Sequence, residues 1–300
     1  MIKKIDQILE LISEQTKKVI SVAAAEDLEV LKAVNKAYEL GLCDFILFGN
    51  KEKILYIAQE NNLDLSKVEI RNTTNDYESV VGAIESVAKG EADLPMKGKI
   101  TTSEILSIYL KDEYGLKSGK TMNLVCVFEI PRYHKLLILS DAGMVISPTL
   151  EQKIDTINNA VTVAHVLGNK EPKVAILGAL ELVNPKMPVT IDAAILTQMN
   201  RRGQIKGCVV DGPFALDNAI SKTAAEHKGL VSEVAGDADI LIVPDIEAGN
   251  ILYKSLVYFG EAKLACSIIG GKKPVVLTSR ADSNETKLNS IAFSILMTER

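Results

Sequence analysis

Short runs of β-branched and apolar residues alternate along this chain with longer stretches in which apolar residues recur every three or four positions. The first kind predicts strands over 19–23, 44–48, 68–70, 94–97, 124–128, 136–139, 173–177, 208–210, 240–243, 266–269 and 275–278. The second predicts helices near 4–17, 27–40, 51–61, 76–89, 101–113, 149–167, 189–201, 213–226, 249–259 and 284–297. Ile154, Ile157 and Val161 keep one apolar face, as do Leu288, Ile291, Ile295 and Leu296. Thr101 and Glu104 have capping-box spacing, and Ser147 before Pro148 predicts a capped helix start. Strands alternating with helices predict an α/β fold with mainly parallel sheet. The runs 124–128 and 136–139, joined by the short segment 129–135, predict an antiparallel pair. There is no internal repeat and no low-complexity linker. A break between domains is expected near 140–147, where a strand ends and a long helix begins.

Composition narrows the class. The 300 residues are 47% apolar and 24% charged, a soluble globular balance with too much apolar content for disorder. A chain of this length buries roughly 75% of its unfolded surface, so it needs no disulfide or metal staple. Net charge is −5 with no basic tract, which argues against nucleic-acid binding by charge neutralisation. The longest uncharged stretch, 156–169, contains Asn158, Asn159 and His165, and is too short and too polar to span a bilayer. Cys43, Cys126, Cys208 and Cys266 show no C-x-x-C spacing and read as reduced, buried, structural thiols. Ile2, Ile5, Leu9 and Ile12 recur at helical spacing around Asp6, unlike an export signal, so a cytosolic location is expected. His134, His165 and His227 form no pair with metal spacing and read as structural or surface residues.

Several segments carry candidate chemistry. GLKSGKT at 115–121 imitates a phosphate-binding loop but is one residue short and follows a helical pattern rather than a strand, so it reads as a helix end and turn. No G-x-G-x-x-G is present. Arginine is scarce, with six in the chain, and Arg280 follows the buried-looking run 274–279 at a strand's carboxyl end, where open α/β sheets bind ligands. A guanidinium there suits two-pronged recognition of phosphate or carboxylate. The alternative is an ion pair to Asp282 or Glu285, with Ser279 a turn former. PDIEAGN at 244–250 leaves a strand and enters a helix, with Gly249 permitting close backbone approach and Asn250 able to donate from the helix start. Tyr253 and Lys254 follow one turn later, while Asp245 can simply cap the helix. Asp211 at another strand end is a ligand contact or a turn former, and Lys222 beyond it a contact or a solvated residue. PMKGKITT at 95–102 offers Lys97 and Thr101 before a helix, or an ordinary helix start.

The strand-end segments at 211–213, 244–254 and 273–280, in this order and with two shorter motifs upstream, carry a resemblance. SDA at 140–142, LEQ at 150–152, VNPKMP at 183–188, VVDGPFALDN at 209–218, PDIEAGN at 244–250 and TSRAD at 278–282 together resemble the phosphate acetyltransferase and phosphate butyryltransferase family, across almost the whole chain. Three of them (VNPKMP, VVDGPFALDN and TSRAD) look like the butyryl branch, and the acetyl branch usually has Gly where Ala281 stands. The resemblance implies a two-domain α/β fold like that of isocitrate dehydrogenase, with a cleft between domains and a C-terminal segment returning to the first. On that reading 1–141 and 272–300 form one domain, and 142–271 the other. It also implies reversible transfer of a short acyl group, butyryl foremost, between coenzyme A and inorganic phosphate. Acyl-CoA, phosphate and acyl phosphate are then the partners, and coenzyme A is a substrate rather than a cofactor. No metal or other cofactor is expected, and a homo-oligomer is. Ser279, Arg280, Asn250, Asp282 and Glu285 become catalytic candidates, and Lys97, Thr101, Asp211, Lys222, Tyr253 and Lys254 substrate-binding ones.

The chemistry can be argued independently. Phosphate is largely dianionic at neutral pH and attacks a thioester carbonyl with little need of a base. The site must instead hold two anions and stabilise a tetrahedral oxyanion. Arg280, with Lys97 or Lys254, supplies positive charge, and Asn250 or Ser279 a donor worth about 3–4 kcal/mol. In reverse, the coenzyme thiol, with a pKa near 8.5 by analogy with cysteine, profits from a carboxylate base. The acetyl branch carries an aspartate six residues after the motif arginine. Thr286 stands there in this chain, leaving Glu285 beside it and Asp282 nearer Arg280 as alternatives. Two rival readings are a dehydrogenase of the same broad fold acting on a phosphorylated or carboxylated alcohol, and an acyl-CoA-binding protein without turnover.

Overall fold

A computed structural model describes residues 1–13, 17–277 and 282–298. The chain divides into two compact units, one of 6–119 and 265–300, the other of 1–5 and 120–264. The sequence-based boundaries at 141 and 271 differ from these crossings. The reason is strand pairing: the two strands that precede residue 141 hydrogen-bond into the sheet of the second unit.

The first unit contains α1 (Asp6–Ser13), β1 (Lys18–Ala23), α2 (Leu28–Glu39), β2 (Cys43–Gly49), α3 (Lys51–Glu60), β3 (Glu69–Asn72), α4 (Asp76–Ala88), β4 (Leu94–Lys97), α5 (Thr102–Tyr109) and a 3₁₀ turn, Asp112–Tyr114. Its sheet has the order β3-β2-β1-β4, all parallel. The inner strands read as continuous apolar runs because helices cover the sheet. Ile20, Val22, Leu47, Ile84 and Leu94 are at most 5% exposed and form its core. Asp27, Asn50 and Asn75 cap α2, α3 and α4. The imitation phosphate loop follows the 3₁₀ turn, which Gly115 ends, so it is the turn expected.

The second unit follows with β5 (Asn123–Glu129), β6 (Leu137–Ser140), α6 (Leu150–Val166), β7 (Lys173–Leu177), α7 (Pro188–Arg201), β8 (Val209–Phe214), α8 (Leu216–Ile220), α9 (Lys222–His227), β9 (Ile240–Ile242) and α10 (Ile246–Tyr258). Within it the strands run in the order β5-β6-β9-β7-β8, parallel except for the antiparallel β5–β6 pair, which was expected. The predicted helix 213–226 is corrected: β8 runs on through Gly212 and Pro213 to Phe214, pairing it with Leu177, and two short helices follow. The cap of α6 is also corrected. It is Thr149 rather than Ser147, because Thr149 and Gln152 complete a reciprocal capping box two residues further on.

The chain returns to the first unit within β10 (Lys263–Ile269) and ends in α11 (Asn284–Leu296), which packs on α1 and α2. The predicted strand 275–278 is reduced to bridges from Val275 to Ile268 and from Val276 to Met96, and Thr278 lies outside the described residues. All four cysteines are buried thiols, and no described helix is long and apolar enough to cross a membrane.

Candidate functional site

In the second unit the carboxyl ends of β6 and β9 lie side by side, since Ser140 pairs with Ile242. The β9 end leads straight into α10, whose first turn Asp245 caps by accepting from the Ala248 N–H at 2.8 Å. Asp245 thus takes the capping role that the sequence left open. Gly249 lies where a Cβ would sit 2.3 Å from the Asp141 carbonyl oxygen, so only glycine lets the helix come this close. One residue on, the Asn250 amide Nδ2 donates to the Ala142 carbonyl at 3.3 Å.

The loop facing α10 is organised by Asp141. Its Oδ1 accepts from the N–H groups of Leu124 (3.2 Å), Gly143 (2.9 Å) and Met144 (3.1 Å), and Oδ2 from Val145 (2.8 Å). Burial pushes this carboxyl above its ordinary pKa, while the four amides pull the other way. Behind it, Ser140 accepts from Asn123 Nδ2 at 2.6 Å and donates to the Leu124 carbonyl at 2.9 Å. The sequence motif contained Asp141 but pointed to no task for it. Its signal was an acidic residue in the first position past a wholly buried strand.

The other candidates in this unit are spread out. Tyr253 is buried, its ring edge-on to Phe128 at 5.9 Å, so the ring is a core element rather than an exposed substrate contact. The Lys254 ammonium lies 4.5 Å from the Tyr253 ring centroid. Asp211 is corrected from a strand end to a position inside β8, paired with Ala175, and its Oδ1 accepts from the next residue's N–H at 2.9 Å. Since β7 separates β8 from β9, Asp211 stands two strands, about 10 Å, from the end of β9. Lys222 opens α9 with an exposed side chain.

In the first unit, the order β3-β2-β1-β4 reverses direction between β1 and β4, the crevice where open parallel sheets take ligands. Lys97 ends β4 there. Its side chain is buried, and Nζ donates to the carbonyls of Gly98 (3.2 Å) and Ile100 (3.0 Å). A Cβ on Gly98 would sit 2.2 Å from the Ala24 carbonyl oxygen, which fixes the tight junction between the two strand ends. Thr101 is the N-cap of α5: its hydroxyl accepts from the Glu104 N–H and donates to the Glu104 carboxylate at 2.8 Å. The Thr101 backbone N–H, which donates to Glu104 Oε2 at 2.6 Å, and then the Thr101 hydroxyl hold the Glu104 carboxyl below its ordinary pKa. Asp282 gives its backbone carbonyl to the ammonium of Lys287, a buried lysine in the first turns of α11, and Glu285 is exposed in the first turn. Ser279 and Arg280 lie outside the described residues. The structure therefore joins Asn250 to the 141–145 loop on one unit, and sets Lys97 at the switch point of the other.

Residues 3–83 and 72–295 match the family described as Phosphate acetyl/butaryl transferase. The chain belongs to this family. It is 54% identical over 290 residues to the phosphate acetyltransferase of Thermotoga maritima, covering 97% of this chain and 98% of that one. It is 48% identical over 297 residues to the phosphate butyryltransferase of Clostridium acetobutylicum, covering 99% of each. A solved branched-chain phosphotransacylase from Enterococcus faecalis shares 36% identity and superimposes with a TM-score of 0.83, over 94% of this chain and 99% of that one. The acyltransferase family expected from the strand-end motifs is thereby the right one, and the α/β class with mainly parallel sheets holds as well. The dehydrogenase alternative falls away.

Proposed function

We propose that this chain transfers a short acyl group, butyryl before acetyl, reversibly between coenzyme A and inorganic phosphate. The observation that carries the reading is the near full-length match to enzymes of both acyl branches. In the forward direction a phosphate oxygen bonds to the thioester carbonyl carbon and the carbonyl becomes an oxyanion. The C–S bond then breaks, and the thiolate leaves and takes up a proton. Asn250 suits the oxyanion: one N–H of its amide is spent on Ala142, which orients the group, and the second has no partner among the described residues and can serve a ligand. Arg280, with Lys97 or Lys254, offsets the charge of phosphate and coenzyme. In reverse, Asp282 or Glu285 receives the thiol proton.

The butyryl preference rests on VNPKMP at 183–188 and TSRAD at 278–282. The second reading, acetyl, is favoured by the 54% identity to an acetyltransferase. Phosphate-dependent release of thiol from acetyl-, propionyl-, butyryl- and isobutyryl-CoA tests both. Each added buried methylene is worth roughly fourfold in kcat/KM until the pocket is full. A maximum at acetyl would overturn the chain-length assignment, and thiol release independent of phosphate would overturn the transferase reading. Self-association and a cytosolic location belong to the same proposal. Exposed Ile251, Tyr258 and Phe259 at the end of the second unit support the former, and light scattering of the purified protein tests it.

A further inference from the structure

We propose that Asp141 is a positioning residue for Asn250, acting through the loop that its carboxylate folds. The inference rests on the oxyanion role given to Asn250 and deepens it. The carboxylate, 5% exposed, gathers four backbone N–H groups, three of them from its own loop at 143, 144 and 145 and one from Leu124 of β5. These three bonds tie the backbone of 143–145 to one side chain, so the carboxylate holds the loop in this shape. That shape is what α10 rests on. The Val243 N–H donates to the Ser140 carbonyl at 3.0 Å, and the Ile246 N–H to the Ile146 carbonyl at 3.1 Å. Gly249 fits against the Asp141 carbonyl, and Asn250 Nδ2 reaches the Ala142 carbonyl. The Ala142 carbonyl takes one of the two Asn250 amide hydrogens and so sets where the other points. A shift of the loop turns the donor away without touching any group that reacts. Displacing a reacting or stabilising group by about 1 Å is enough to cost on the order of 100-fold in rate.

The test is a double-mutant cycle on the full-length enzyme, read by phosphate-dependent thiol release. Asp141→Asn keeps size and shape but replaces one acceptor oxygen by a donor, which faces an N–H. It should lower kcat on the order of 10- to 100-fold and leave KM for acyl-CoA and phosphate within about twofold. Asn250→Ala should lower kcat on the order of 100-fold. The decisive value is Asp141→Asn in the Asn250→Ala background. If Asp141 acts through Asn250, it costs little more there, and the two losses do not multiply. Full multiplication of the losses overturns the positioning role and leaves the Asn250 assignment standing. An Asn250→Ala enzyme with wild-type kcat overturns both. Should Asp141→Asn fail to fold, Gly249→Ala enters the same cycle, since its methyl pushes on the Asp141 carbonyl from the helix side and leaves the carboxylate intact. Non-multiplying losses there support the role, and multiplying losses end it.

Discussion

A guanidinium and an ammonium differ in what they can hold, and Arg280 is where that difference should be measurable. Its assignment to phosphate or acyl phosphate rests on the scarcity of arginine and on TSRAD at 278–282. Arg280→Lys keeps the charge and loses the planar pair of donors, so a substantial loss of turnover is expected, smaller than for Arg280→Ala. Losing one charge-assisted hydrogen bond should cost on the order of 10- to 100-fold, concentrated in phosphate and acyl-phosphate kinetics rather than in coenzyme A affinity. An Ala variant that folds and keeps wild-type phosphate kinetics would remove Arg280 from the site. Tyr253 shows the limit of reading single residues. Its spacing from Asn250 was legible, but spacing on a helix fixes a face and does not say which face turns inward. Packing against Phe128 decides that, and it buries the ring.

Among the elements, α5 presents a choice that sequence left open. Thr101 lies in a segment with two lysines, which suggests ligand contact, and it has capping-box spacing to Glu104. Among the described residues, the Thr101 hydroxyl bonds only to Glu104, so the capping role accounts for it. Thr101→Ala should therefore destabilise the protein by about 1 kcal/mol in denaturant titration and leave KM for both substrates unchanged. A raised KM with unchanged stability would restore the ligand role. The loop at 141–145 has the opposite character. Its amides are satisfied by a carboxylate that helix and strand periodicity cannot flag, because the residue sits just outside both.

At the scale of the whole molecule, the amino-terminal edge of the second unit's sheet is tied by charge. Asp237 meets Lys173 at 2.6 Å, Lys135 at 3.1 Å and His134 at 3.0 Å, and Lys135 also reaches Asp239 at 2.7 Å. These groups precede or begin β6, β7 and β9, so the cluster pins three strands at their starts. Partial burial pushes the Asp237 carboxyl upward, but hydrogen bonds and charge from Lys173 and Lys135 outweigh it and hold the carboxyl well below the usual carboxylate range. A carboxyl depressed in the folded state contributes stability that is present above its unfolded pKa, about 3.9, and is lost as pH falls toward the folded value. Asp237→Asn should accordingly be less stable near pH 7 and show a shallower loss of stability below about pH 4. Denaturant titrations from pH 7 to pH 2.5 measure this. Identical acid limbs in the two proteins would show that the cluster contributes nothing to the pH dependence.

What this sequence determined by itself is local. Apolar periodicity placed nearly every strand and helix, because a 2- or 3.6-residue repeat is a property of the segment alone. The Thr101–Glu104 box and the antiparallel β5–β6 pair were legible for the same reason: each needs only neighbours along the chain. The family was legible because its short motifs occur in a fixed order along the chain. The tertiary structure alone decided the strand orders, and with them the separation of Asp211 from α10 and the placing of β5 and β6 in the second unit. It also decided that β8 continues through Gly212 and Pro213, since pairing with β7 outweighs the turn signal of that dipeptide. Such choices depend on hydrogen bonds between residues up to about a hundred positions apart, as between β6 and β9. The pattern within either strand contains no information about which partner it will meet.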